Sequence, residues 1–317
     1  MTTTQRIAEF KPASQMETVR FKTIEVDGLE VFYREAGTPG MPKLVLLHGF
    51  PGSSAYYRLL MPALADKFHV VAPDYPGFGN SAKPDPAAYG YTFDKTSETV
   101  EGFLDAIGFD RFGLFMQDYG GPVGFRIVGR RPEMMEWMII QNTNAYEIGF
   151  GEVWDGLRGA YWLDPTPETE EPLADFLAPE TVKTLYQHGH PDPSLVSPDS
   201  WQNDIAHLRH PFATRINLDF FYDYRTNVPL YAEWQRFMRE EQPHTQIFWG
   251  KGDIFFTPEG GDAFLVDLPD AEYHVLDSGH FAVEDSYLYI AEHMKRFYAE
   301  KRFYAERVGA AWAQHTP

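Results

Sequence analysis

The chain has 317 residues, 44% of them hydrophobic, which is enough apolar mass for a large buried core. Its 46 acidic against 27 basic side chains give a formal charge of −19. That sign repels nucleic-acid phosphates and anionic membranes, so neither is an expected partner. With no cysteine, disulfides, thiolate chemistry and cysteine-ligated metal sites are excluded, and a reducing cytoplasm is the expected location.

No run approaches the roughly 18 apolar residues of a membrane helix. The first residues, MTTTQRIAEFKPASQ, lack the basic tip and apolar core of a secretory leader, and residues 1–20 read as a mobile polar arm. FKTIEV and LEVFYREAG, joined at Asp27-Gly28, predict a hairpin, because Asp-Gly suits a tight turn. KLVLLH (Lys43–His48) is a compact apolar run of the kind that forms a buried parallel strand. SSAYYRLLMPALAD follows with cap-type serines and helical spacing. HVVAPD and RFGLFMQD repeat the buried-strand pattern on either side of a helical TFDKTSETVEGFLDAIG. GPVGFRIVGRRP and MMEWMIIQNT add a helix and a sixth strand.

The alternation stops near Asn144. Residues 144–242 are rich in Pro, Trp, Tyr and acidic side chains, with helical fragments and no clear strand. It resumes with TQIFWG (strand), PEGGDAFLVD (helix), EYHVLD (strand) and a long helix from HFAVEDSYLYIAEHMKRFYAE. The expectation is an α/β protein with a mostly parallel eight-stranded sheet, helices on both faces and an inserted helical cap over the strand ends, where ligands bind in such sheets. Residues 21–143 and 243–309 form the expected core, 144–242 the cap and 310–317 a tail. KRFYAE occurs twice in tandem at Lys295–Glu300 and Lys301–Glu306 and reads as an elongated final helix.

MQDYGG (Met116–Gly121) joins a buried strand to a glycine-containing helix and sets Asp118 at the apex of a sharp turn. A nucleophile held there needs small residues beside it, and Gly120 and Gly121 supply the room, although Met116 is bulkier than the glycine often found two residues before the apex. An aspartate at that point is equally common as a helix cap, so the turn alone leaves both roles open. HGFPGSS follows the third strand, where the backbone N–H of Phe50 can converge with that of Tyr119 on one oxygen. GKGDIFFTP offers Asp253 after the seventh strand, and DSGHFAVE offers His280 after the eighth. Nucleophile, acid, histidine is the chain order of a known hydrolytic triad. No His/Asp/Glu cluster has metal-ligand spacing, and no cofactor is expected.

Together HGFP, DYPGFGNS (Asp74–Ser81), the Asp-centred turn, GKGD and SGHF resemble the branch of α/β-hydrolases containing epoxide hydrolases and haloalkane dehalogenases, over about residues 20 to 300. The resemblance implies that Asp118 attacks a saturated carbon, and that the resulting ester is hydrolysed by water activated by His280 and oriented by Asp253. DYPGFGNS is a structural turn in that family. Halide release usually uses a Trp after the nucleophile plus an Asn or second Trp, whereas Tyr119 and Phe50 stand at those points here. Epoxide opening usually uses two lid tyrosines; Tyr224, before Arg225, resembles one, and Tyr161 in GAYWLDP stands where its partner is expected. The reading is an epoxide hydrolase acting on a small, uncharged, fairly hydrophobic substrate with water. A haloalkane or haloacid dehalogenase, with Trp154, Trp162 or Trp201 holding halide, is the alternative, and a non-catalytic binding protein of the same fold a remote one.

Overall fold

Asp27 (φ 48°) and Gly28 (φ 81°) both lie in the left-handed region, which is the turn that suits the twist of a two-residue hairpin. They pair β1 (Arg20–Val26) with β2 (Leu29–Ala36) in antiparallel register, Val26 opposite Leu29. A computed structural model describes the backbone from residue 18 to 313 and side chains as far as residue 301. The expected N-terminal arm therefore lies almost wholly outside the described residues, as do the side chains of the second KRFYAE copy beyond Lys301.

The remaining strands are β3 (Lys43–Leu47), β4 (His69–Pro73), β5 (Phe112–Gln117), β6 (Met135–Gln141), β7 (Thr245–Gly250) and β8 (Glu272–Leu276). They form one sheet in the order β1-β2-β4-β3-β5-β6-β7-β8, parallel from β4 to β8 and antiparallel at the β1/β2 and β2/β4 pairs. The central strands carry fully buried runs, Leu44–Leu47, Leu114–Met116, Met138–Ile140 and Ile247–Trp249. Runs that are apolar on both pleats need cover on both faces, which helices supply.

The helices before the insertion are α1 (Leu60–Leu64), α2 (Phe93–Ala106) and α3 (Gly120–Arg130). The segment expected as one helix from Ser53 to Asp66 is instead a 3-10 turn, Ser54–Tyr57, followed by the short α1. Ser53 caps the turn by accepting the N–H of Ala55 at 3.3 Å. Pro62 explains the break: it has no N–H to donate, so it is tolerated only in a first turn, where no intrahelical bond is lost.

Between β6 and β7 the chain makes α4 (Pro167–Ala174), α5 (Pro179–Gln187), α6 (Pro198–Leu208), α7 (Ala213–Asp223) and α8 (Tyr231–Glu241). The first three of these begin on proline, whose fixed φ and missing N–H suit a first helical position. Among the described residues this insertion holds no strand, only the isolated bridge Phe150–Phe256. α9 (Pro258–Asp267) and α10 (Val283–Ala313) complete the chain. α10 begins three residues after His280, which therefore sits in a loop, and it runs past the tail boundary expected at residue 310. Among the described residues no helix is long and apolar enough to cross a membrane.

Candidate active site

Asp118 stands between β5 and α3 at φ 49°, a left-handed conformation that a non-glycine residue holds only when its surroundings impose it. Those surroundings are tight. A Cβ on Gly120 would lie 2.3 Å from the Leu47 carbonyl oxygen, and one on Gly49 would lie 2.2 Å from Asp118 Oδ1. Thr143 Oγ1 donates to the Asp118 carbonyl at 2.6 Å and occupies the space a side chain on Gly121 would need. Met116 fits before the apex because Gly124, one turn into α3, leaves room for its sulfur; a Cβ there would be 2.5 Å from Met116 Sδ.

Asp118 is buried, with 4% of the residue exposed. Its Oδ1 accepts the Phe50 N–H at 2.6 Å, and the nearby Tyr119 N–H also favours the charged form. Its Oδ2 lies 3.8 Å from His280 Nε2. Burial pushes the Asp118 pKa up from 3.8 to about 6, against the pull of His280 and of the two N–H donors. The carboxylate is thus far less acidic than its free counterpart, though still mainly ionised at neutral pH.

His280 turns its other nitrogen, Nδ1, to Asp253 Oδ2 at 2.8 Å. Asp253 is itself held, Oδ2 by Asn142 Nδ2 at 2.8 Å and Oδ1 by the Phe255 N–H at 2.7 Å. Nε2 faces the amide nitrogen of Gln117 at 3.0 Å. With a carboxylate at Nδ1 and an amide donor at Nε2, the neutral ring keeps its proton on Nδ1 and its lone pair on Nε2, where it accepts from Gln117. Burial opposes the charged ring, but the carboxylate of Asp253, helped by Asp118, outweighs it and raises the His280 pKa. Gln117 and Asn142 carried no signal in the sequence, because an amide at a strand end is ordinary until its partner is known.

A small cavity of about 30 Å³ opens over Asp118 and His280. Val153, Trp154, Leu157, Phe176 and Phe221 close it from the insertion, and Phe50, Tyr119 and Phe255 from the sheet side. Among the described residues that line it, Asp118, His280 and the Tyr119 phenol are the ionisable groups, and the rest of the wall is apolar.

The two expected acids fare differently. Tyr161 is not on the cavity wall. Its hydroxyl is engaged inside the insertion, 3.1 Å from Glu170 Oε1, 3.1 Å from the Leu218 carbonyl and 3.3 Å from Arg215 Nη2. The stretch before it reaches the wall instead, through Val153, Trp154 and Leu157. Tyr224 is fully buried one ring behind the wall, its centroid 4.4 Å from that of Trp154 and 6.2 Å from that of Tyr119. Its hydroxyl and that of Tyr231 face each other without a hydrogen bond of ordinary geometry. Burial, then Tyr231 and the charge on Asp118, raise the Tyr224 pKa well above the usual phenol value.

The indole N–H of Trp154 donates to the Phe255 carbonyl and that of Trp162 to the Phe221 carbonyl, each at 2.9 Å. Trp201 lines a separate surface groove beside Pro198. In DYPGFGNS, Asp74 accepts the N–H groups of Ser54 at 2.7 Å and Asn80 at 2.8 Å, the work of a structural turn. His48 stacks on Tyr75 with centroids 4.0 Å apart, and burial lowers its pKa to about 4, so the ring stays neutral.

A sheet of this order, with a strained carboxylate after the fifth strand and a His–Asp pair after the last two, defines a hydrolase architecture, and the chain belongs to the α/β-hydrolase fold family, whose model matches residues 42–287. It is 37% identical over 285 residues to an uncharacterized hydrolase of Saccharomyces cerevisiae, covering 89% of this chain and 98% of that protein. A cis-3-alkyl-4-alkyloxetan-2-one decarboxylase of Shewanella oneidensis is 27% identical over 84% of this chain and 85% of its own length. Haloalkane dehalogenase 2 of Mycobacterium tuberculosis is 33% identical over 135 residues, 43% of this chain and 46% of that enzyme. The solved structure of the epoxide hydrolase CorEH superposes with a TM-score of 0.72 at 20% identity, over 89% of this chain and 99% of that one, a likeness of fold.

Proposed function

We propose that this hydrolase opens epoxides to vicinal diols through an ester on Asp118. The observation that carries the reading is the carboxylate at the strained turn, one oxygen held at 2.6 Å by the Phe50 N–H and the other free toward the cavity, 3.8 Å from His280. Asp118 Oδ2 attacks an epoxide carbon; the C–O bond breaks, and the oxygen takes a proton from Tyr224 once a shift of the Trp154 ring opens that hydroxyl to the cavity, leaving a hydroxyalkyl ester and a phenolate. His280 Nε2 then removes a proton from water, and the hydroxide adds to the ester carbonyl carbon. The oxyanion sits against the N–H groups of Phe50 and Tyr119. Collapse expels the diol as an alkoxide, which takes the proton back from His280, and the carboxylic acid formed on Asp118 returns its proton to Tyr224.

Residues 144–242 serve in this scheme as the cap that keeps bulk water from the ester, and the apolar wall selects small uncharged substrates. Halide release is less well supported, since the indole N–H groups of Trp154 and Trp162 are already donated to carbonyls.

The test is intact mass of His280→Gln after incubation with styrene oxide and, separately, with 1-bromobutane. An adduct of the whole epoxide mass, absent when Asp118→Ala is added, is the expected result. An alkyl adduct from the bromide alone would move the chain to the dehalogenases, and no adduct from either would overturn the ester scheme.

A further inference from the structure

Each residue of the His280–Asp253 pair is preceded by a glycine, and a single turn of the insertion rests on both. Gly189, after α5, is left-handed at φ 80°. A Cβ on it would stand 2.6 Å from the Gly252 carbonyl oxygen and 2.8 Å from Gly279 Cα, while one on Gly279 would lie 1.9 Å from the His188 carbonyl oxygen. Every atom met is backbone, so no side-chain rotation relieves the contact. The two core loops are also joined to each other, Gly252 N–H donating to the Ser278 carbonyl at 2.9 Å. One residue beyond Gly189, buried His190 ties the turn to α10, its Nδ1 2.5 Å from Asp285 Oδ2.

We propose that the His188–His190 turn is a positioning element for the catalytic pair, so that the insertion aligns the base as well as covering the cavity. Close-packed backbones transmit displacement with little loss. Moving Gly189 moves Gly252 and Gly279, and with them the 2.8 Å bond between His280 Nδ1 and Asp253 Oδ2. Ester formation draws on Asp118, whereas ester hydrolysis draws on His280, so a disturbed turn slows the second step selectively. That kinetic consequence rests on the ester reading above; the alignment itself does not.

The full-length chain is compared as Gly189→Ala, His190→Gln and the control Gly156→Ala, a cap position where an added Cβ meets nothing within 4 Å. His190→Gln removes the tether without adding bulk and decides the matter if Gly189→Ala does not fold. The first readout is proton NMR of His280, assigned by its loss in His280→Gln. The low-field Nδ1–H resonance weakens or shifts, and the His280 titration falls toward that of an ordinary histidine, in the turn variants and not in the control. A folded turn variant with the parent's resonance and titration overturns the proposal.

The second readout is the ester formed from styrene oxide, followed by mass. Its hydrolysis slows by about tenfold with formation little changed, whereas equal slowing of both steps counts against positioning. If no ester forms even in His280→Gln, the epoxide reading fails and the NMR result alone judges the turn.

Discussion

Replacing Asp118 with Asn should make the protein more stable, and only above a definite pH. The folded carboxyl titrates at about 6 and the unfolded one near 3.8, because burial disfavours the anion. A group whose folded pKa is raised binds its proton more tightly in the native state, so its contribution is intact below about pH 4 and lost as pH climbs through 6. Two units at about 1.4 kcal/mol each give a charged-state cost of about 3 kcal/mol at pH 8. Asn is nearly isosteric and keeps an oxygen for the Phe50 N–H, so the variant escapes that cost without opening a cavity. Urea unfolding of both proteins at pH 4 and pH 8 is the assay. The expected gain is near zero at pH 4 and up to about 3 kcal/mol at pH 8. A gain of equal size at both pH values, or a loss at pH 8, would falsify the claim that the Asp118 carboxylate is held against its solvation.

Single-turnover ester formation should fall as pH drops through about 6, where Asp118 takes its proton. In His280→Gln that limb should move to higher pH, because the ring that lowers the Asp118 pKa is gone; movement to lower pH would contradict the assigned coupling. Tyr224→Phe should slow ester formation from styrene oxide by about 10² to 10⁴. Tyr161→Phe should leave that rate nearly unchanged and cost about 1 kcal/mol of stability, since it removes hydroxyl bonds made inside the cap; rapid-quench mass spectrometry and urea unfolding separate the two. Gly49→Ala should abolish ester formation, because its methyl would fall 2.2 Å from Asp118 Oδ1, whereas Gly90→Ala, with nothing within 4 Å, should match the parent in the same assay.

The sheet was legible because its signals are local. Runs such as Leu44–Leu47 and Ile247–Trp249 are apolar on both pleats, and Asp27-Gly28 can supply the paired positive φ angles of its hairpin. Chain order after successive strands made Asp118, Asp253 and His280 candidates, and the fold brings the three side chains together, since the parallel strands end along one edge. The break at Pro62 was also written locally and is visible once proline is given its proper place in a first turn.

The insertion followed other rules. Its short helices pack by side-chain fit and carry no fixed register to the sheet, so spacing around Tyr161 said nothing about where its hydroxyl pointed. Only the folded arrangement gave that hydroxyl to Glu170 and Leu218 and brought Trp154 to the cavity instead. The same holds for the amides of Gln117 and Asn142, for the contact of Gly189 with Gly252 and Gly279, and for the raised pKa of Asp118. By itself the sequence determined the strands, their succession along the chain and the types of group at their ends. Tertiary structure decided distances, burial and therefore acidity, because these depend on atoms that are remote along the chain and meet only when it folds.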